Sequence, residues 1–238
     1  MKKDFKIGIL TGAGISAESG IATFRGMGGM WENHSIEEVA TLSGFKKNPL
    51  LVWQFYEARR RQALSCKPNK GHFGVAQLQE KMGEKNFSIT TQNVDGLHQR
   101  AGAKNVLELH GSLWRVQCTK CLKVRETYEL FDELPPKCFC GGVLRPAIVW
   151  FGESLPMDIF ERAYQDAKNS NLYIVIGTSG VVEPAASLAR VAASNGSEVW
   201  EINPEETALT YLCTKSFRNK SGEVIEQVID EVLKIYSI

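Results

Sequence analysis

Four short runs of apolar and β-branched residues recur along the chain, at residues 6–11 (KIGILT), 87–91 (FSITT), 172–176 (LYIVI) and 198–203 (EVWEIN). Runs of this length, closed off by glycine or polar residues, predict strands buried on both faces. Between the last two lies PAASLARVAAS, residues 184–194, which predicts a helix opening on Pro184 and stopping at Asn195-Gly196. Strand, helix and strand with short joints make a parallel βαβ unit. Near the end, Val224, Ile225, Val228, Ile229, Val232 and Leu233 form one helical stripe, with Glu223, Glu226, Asp230 and Glu231 off it. That stripe predicts core packing. The pattern as a whole predicts an α/β fold, a Rossmann-like parallel sheet flanked by helices.

Two regions break the pattern. Residues 113–146 are polar, proline-bearing and cysteine-rich, with weak periodicity, and predict a small insertion domain. Residues 23–45 carry Gly26, Gly28 and Gly29 and an exposed-looking Trp31, and long irregular segments in compact domains are commonly functional. The division expected is a Rossmann-like domain from residues 1–30, 71–112 and 147–238, a helical and loop insertion at 31–70, and a small metal-binding domain at 113–146.

Composition narrows the function classes. With 28 Lys+Arg against 27 Asp+Glu, the net charge is +1, so no global basic field drives nucleic-acid binding. A hydrophobic content of 43% excludes an acidic disordered chain. No run approaches the roughly 18 apolar residues of a membrane span. The first apolar run, Ile7 to Leu10, is too short for a secretory core, and Asp4 also counts against one. The expectation is a cytoplasmic protein with reduced thiols and no membrane partner.

In that setting grouped cysteines bind metal more often than they pair. Cys118, Cys121, Cys138 and Cys140 have the spacing C-x2-C-x16-C-x-C, two chelating pairs a ribbon apart. Gly141-Gly142 can supply the positive φ of a tight knuckle. Four thiolates close a tetrahedral shell, so the spacing predicts one structural zinc ion rather than a catalytic one. Cys66 and Cys213 lie far from this group and read as small hydrophobes.

After the first strand, Gly12-Ala13-Gly14-Ile15-Ser16-Ala17 matches the G-x-G-x-x-A dinucleotide loop. The acidic residue that ordinarily ends a second strand about 20 positions on is missing, which argues against a dehydrogenase. Residues 12–26 (GAGISAESGIATFRG) resemble the opening signature of the sirtuins, NAD-dependent protein deacylases. The resemblance continues through TQNVDGLH (91–98), His110-Gly111-Ser112, the four cysteines, VWFGE (149–153) and Gly177-Thr178-Ser179, in the family's order. Ala22 stands where many members carry proline.

The resemblance implies NAD as co-substrate, acylated-lysine proteins or peptides as partners, and roles for named residues. His110 is the implied general base, where without the resemblance a structural histidine is the plainer reading. In the implied mechanism the acyl oxygen attacks the nicotinamide ribose carbon as nicotinamide leaves. His110 then activates a ribose hydroxyl, and water releases lysine and O-acyl-ADP-ribose. Asn93 and Asp95 line the nicotinamide pocket, with Asn93 also catalytic, and Gln92 orients the ribose. An Asx turn capping the next helix is the bland alternative for Asp95. Gly12, Ala13, Gly14, Ala17, Phe24, Arg25, Trp31, Val94, Gly177, Thr178, Ser179, Asn203, Pro204, Glu205 and Ser221 complete the implied cofactor set. Ser221 also reads as a simple N-cap. Val149, Trp150 and Phe151 are the implied peptide-binding strand, by backbone pairing. His98 reads as packed and hydrogen-bonded, and His72 and His34 as lacking any constellation.

Tyr56 and Arg59 are three apart in a helical stretch at residues 50–64, on one face. They resemble the Tyr-x-x-Arg pair of class III sirtuins, which implies removal of succinyl and malonyl as well as acetyl groups. On spacing alone, Arg59-Arg60-Arg61 is a solvated face. Rival readings are a mono-ADP-ribosyltransferase or NAD glycohydrolase using the same pocket, and a non-catalytic NAD-sensing binding module. A nucleic-acid role for the insert is weak, because Glu126, Glu129, Asp132 and Glu133 follow Lys120, Lys123 and Arg125.

Overall fold

A computed structural model describes residues 5–22, 30–31 and 34–236. The chain opens with β1 (Ile7–Thr11), wholly buried, and the one-turn helix α1 (Gly14–Ala17). An antiparallel pair, β2 (Met30–Trp31) and β3 (His34–Ser35), leads into α2 (Ile36–Val39), α3 (Leu42–Lys47) and α4 (Pro49–Ser65). Each of these three helices starts at a side-chain cap, on Ser35, Thr41 and Asn48 respectively. Helix α5 (Lys70–Met82) crosses to β4 (Phe87–Thr91), followed by α6 (Leu97–Arg100) and β5 (Leu107–Glu108). Three antiparallel strands come next, β6 (Gly111–Cys118), β7 (Val124–Glu126) and β8 (Leu144–Ile148). The chain ends with α7 (Met157–Lys168), β9 (Leu172–Ile176), α8 (Ser187–Ser194), β10 (Glu198–Ile202), β11 (Lys215–Phe217) and α9 (Ser221–Tyr236).

The main sheet is parallel, in the order β11-β10-β9-β1-β4-β5. Four of its six strands, β1, β4, β9 and β10, coincide with the four apolar runs of the sequence to within a residue, whereas β5 and β11 fall outside those runs. Alternate side chains sort to two faces. Ile7, Ile9, Ile89, Ile174 and Ile202 pack under α5 and the Val224–Val232 stripe of α9. Leu10, Tyr173, Val175 and Val199 pack under α7 and α8. The helix expected from Pro184 begins instead at Ser187. The carbonyl of Pro184 is taken by the Ser187 amide at 3.1 Å and its hydroxyl at 2.6 Å, which turns residues 184–186 into a lead-in turn. No helix among the described residues is long and apolar enough to cross a membrane.

The cysteine-rich region is more regular than its sequence pattern suggests. It is a three-stranded sheet, β7-β6-β8, starting at Gly111. Its buried face and helices α2–α4 share one apolar core, built around Trp53, Tyr56, Trp114, Val116 and Trp150. The arginine run of α4 is not a solvated face. Arg59 and Arg60 are buried, while Arg61 is exposed. Arg60 donates to the carbonyls of Leu113, Thr127 and Glu129 and pairs with Glu57 at 3.1 Å, tying α4 to the small sheet.

Candidate functional site

The carboxyl ends of β1, β4 and β9 meet where ligands bind in open parallel sheets. Gly14 donates to the Gly177 carbonyl at 2.7 Å, and a Cβ on Gly14 would sit 2.7 Å from the Gly177 Cα. Only glycine lets the two loops touch there. Together with the end of β8 and the loop after β9 they enclose a cavity of about 640 Å³, a size that suits a large organic ligand.

The cavity brings together most residues singled out in the sequence. Gly12, Ala13, Gly14, Gln92, Asn93, Val94, Asp95 and His110 line it. So do Val149, Trp150, Phe151, Gly177, Thr178, Ser179, Asn203 and Glu205, and so do Tyr56 and Arg59 from α4. Ala17, Pro204 and Ser221 lie off its wall. Ser221 is the first residue of α9, and its neighbour Gly222 donates to the Glu18 carboxylate at 2.9 Å. Phe24 and Arg25 lie outside the described residues, as does the side chain of Trp31.

The floor is a buried polar network. The Ser16 hydroxyl donates to Asp95 Oδ2 at 2.8 Å, and Asn93 Nδ2 donates to Ser16 Oγ at 3.2 Å and to the Gly12 carbonyl at 3.0 Å. Asp95 Oδ1 accepts from the Leu97 amide at 2.9 Å, so the residue caps the turn while it also lines the cavity. Burial pushes the Asp95 carboxyl above its ordinary range, against the pull of those hydrogen bonds. His72 also belongs here, contrary to the expectation that it stands alone. Its Nε2 is 3.3 Å from Ser16 Oγ, and its ring packs edge-on against His98 with centroids 5.0 Å apart. His98 in turn meets Thr11 Oγ1 at 2.9 Å. Ser16 and His72 escape a local reading because they are 56 positions apart in the chain.

His110 follows β5, and Gly111, at φ +81°, turns the chain into β6. A Cβ on Gly111 would lie 2.1 Å from the Ala147 carbonyl oxygen. The His110 carbonyl accepts from the Val149 amide at 2.9 Å, linking the histidine backbone to the following strand end. Burial lowers the pKa of the imidazole, partly countered by the Gln92 carbonyl. The Val149–Phe151 amides are already engaged, with the carbonyl of His110, the carboxylate of Glu153 and the carbonyl of Ala40. An added peptide strand therefore has carbonyls, not these amides, to pair with along this segment.

Away from the cavity, the four sulfurs of Cys118, Cys121, Cys138 and Cys140 lie within 4.8 Å of one another. The Cys118–Cys140 and Cys121–Cys138 separations are 3.4 and 3.9 Å, against the edge of about 3.8 Å that a tetrahedral zinc thiolate site requires. The amides of Lys120 and Cys121 point at the Cys118 sulfur at 3.3 and 3.4 Å, and Gly141 takes the positive φ of the second knuckle. The donor set fits zinc and leaves no open position. Cys213 stands apart from this group, its thiol pushed up to about 11 by burial.

Comparison with known proteins gives a consistent set. Residues 12–184 match the model of the Sir2 family. The chain is 48% identical over 236 residues to the NAD-dependent protein deacylase of Aquifex aeolicus, covering 98% of each. It is 47% identical over 231 residues to NAD-dependent protein deacylase 1 of Archaeoglobus fulgidus, covering 96% of this chain and 93% of that protein. Among solved structures, a Sir2 homologue–NAD complex superposes with TM-score 0.88 at 44% identity, over 97% of this chain and 90% of that one. A complex of Sir2 with a p53 peptide and NAD+ superposes with TM-score 0.84 at 34% identity, over 95% and 93%.

Proposed function

This chain belongs to the Sir2 family, and we propose that, as an NAD-dependent protein deacylase, it removes acyl groups from lysine side chains, including groups that end in a carboxylate. The observation that carries the first part is the meeting of the His110 ring, the Asn93–Asp95 segment and the Gly12–Gly14 loop on one cavity wall. Bound NAD supplies an electrophilic ribose carbon and a leaving nicotinamide.

The residues around it divide the remaining tasks. Gly12, Gly14 and Gly177 let the two loops pack against each other, which builds the wall against which the pyrophosphate would lie. Asn93 and Asp95, fixed by Ser16, hold the nicotinamide end. His110 keeps its proton at Nδ1 against the Gln92 carbonyl, so Nε2 is the atom that accepts a hydroxyl proton. Val149–Phe151 and the Val181–Pro184 loop face the same cavity and would hold the peptide between them. Zinc, held by the four cysteines, is structural: its ligands complete the shell and none of them lines the cavity.

The acyl preference rests on Tyr56 and Arg59. Both are buried, both line the cavity, and a phenol and a guanidinium together suit a carboxylate. The test is nicotinamide release from one peptide carrying acetyl-, malonyl- or succinyl-lysine at a single NAD concentration, with O-acyl-ADP-ribose measured alongside. Release that needs no acylated peptide would favour NAD hydrolysis or ADP-ribosyl transfer. No release from any peptide would favour a binding module.

A further inference from the structure

We propose that Trp150 sets acyl-group specificity by fixing the Tyr56 hydroxyl as a hydrogen-bond donor into the cavity, an inference that rests on the carboxylate reading of Tyr56 and Arg59. The indole N–H of Trp150 lies 2.9 Å from the phenol oxygen of Tyr56. An indole nitrogen only donates, so the phenol oxygen accepts. Among the described residues that is the phenol's one hydrogen bond, and its own proton is left to give. Burial pushes the phenol up to about 12, so it stays protonated at neutral pH.

Trp150 has little freedom to release this grip. The ring is 2% exposed and packs against Phe45, centroids 5.3 Å apart. The Arg145 guanidinium stacks on it with its central carbon 3.8 Å from the ring centroid. That guanidinium holds Glu153 with two nitrogens, at 2.6 and 2.8 Å, and Glu153 accepts the Trp150 amide at 2.9 Å. Backbone and ring of Trp150 are therefore fixed by the same ion pair.

The chemical consequence is selective. A guanidinium has no acceptor, and the Tyr56 oxygen is already engaged with the indole N–H. The Tyr56 hydroxyl then presents a donor, and no acceptor, to whatever enters. An acyl carboxylate brings the lone pairs that match, whereas the methyl of an acetyl group brings none. Without the indole N–H nothing holds the phenol oxygen, so the hydroxyl can turn and its donor is no longer aimed. Trp150 is thus a positioning residue that acts through Tyr56.

The experiment is a double-mutant cycle read as the ratio of kcat/KM for succinyl- over acetyl-lysine in one peptide, so that effects on the peptide backbone cancel. Trp150→Phe should lower the ratio about ten-fold, mainly through the KM of the succinyl peptide, as loss of one hydrogen bond to a charge would. Tyr56→Phe should lower it similarly, and Trp150→Phe/Tyr56→Phe no further than Tyr56→Phe alone. Trp150→3-benzothienylalanine keeps the shape and stack of the indole and lacks only the N–H. It should reproduce Trp150→Phe if the latter folds poorly. An unchanged ratio in both Trp150 variants, or effects that multiply in the double variant, overturns the proposal. If Tyr56→Phe and Arg59→Met also leave the ratio unchanged, the carboxylate reading itself falls. A lowered ratio in those two with no effect at Trp150 overturns this inference alone.

Discussion

His110 Nδ1 lies 3.0 Å from the main-chain oxygen of Gln92. A carbonyl oxygen has no proton to give, so the ring nitrogen facing it must carry one, and the neutral imidazole keeps its lone pair on Nε2. Gln92 thus does two things from one residue. Its carbonyl sets the tautomer of His110, while its side-chain amide donates to Thr178 Oγ1 at 3.0 Å and joins the ends of β4 and β9.

That arrangement predicts the acid limb of the reaction. Burial places the His110 pKa below the ordinary 6.5, so the ring remains neutral until the pH falls under that value. The kcat/KM for an acetyl-lysine peptide should be flat from pH 8 down to about 6.5 and decline only below it. His110→Ala should lower turnover at least about 100-fold and leave NAD affinity and zinc content nearly unchanged, as checked by calorimetry and metal analysis. Near-normal turnover in that variant would show that another group is the base.

A second prediction concerns stability in acid. Burial depresses His72 to about 4 and His98 to about 3 from 6.5. Groups with depressed folded pKa values stabilise the fold above the unfolded value, and that stabilisation is lost as pH falls through it. The loss should set in near pH 6.5 and reach about 2 kcal/mol per histidine by pH 5. Urea denaturation at pH 7.5 and 5.0 measures it, and His72→Gln should remove about half of the difference. Equal stability at the two pH values would mean that neither ring is held neutral.

The main strands were legible because a parallel sheet covered on both faces demands unbroken apolar runs, and residues 172–176 are buried at every position. The ends of strands follow from those runs, and Gln92, Asn93 and Gly177 stand just beyond them on the cavity wall. What stayed hidden depends on distant pairing. Arg60 reads as solvated because its neighbours are charged, yet its partners are carbonyls 53, 67 and 69 positions away. Ser16 occupies an unspecified position of the glycine loop, and its partner Asp95 lies 79 positions on. The partners of Trp150 are equally remote on one side, since Tyr56 is 94 positions earlier.

Arg60 yields a third prediction. Its guanidinium lies between the rings of Trp114 and Phe131, with centroids at 5.5 and 5.2 Å, and Glu57 beside it is buried. Arg60→Met would leave a buried carboxylate and three carbonyls without their cation, a loss of about 3–5 kcal/mol. Chelating the zinc attacks the same unit from its far end, because β6 runs from Gly111 to Cys118. Both treatments should release the small sheet from α4 and lower the denaturation midpoint. Retention of the zinc by Arg60→Met at wild-type stability would disconnect the two.

The cavity wall that follows β10 supplies the last prediction. Glu205 to Ala208 line the wall on a loop after β10 that has little regular structure of its own. It is held from behind by Glu201, 1% exposed, whose carboxylate accepts from Thr207, from Thr210 at 2.8 Å and from Arg218 at 2.5 Å. Arg218 also reaches the carbonyl of Glu205 at 3.3 Å. Glu201 and Arg218 both lie off the cavity wall, so their variants act by positioning the loop. Arg218→Ala should raise the KM for NAD about ten-fold with kcat little changed, because the loop must be ordered anew on binding. Arg218→Lys, which keeps the charge without the fork, should recover part of that loss. A fall in kcat at unchanged KM would instead place the effect of this pair on the chemistry around His110.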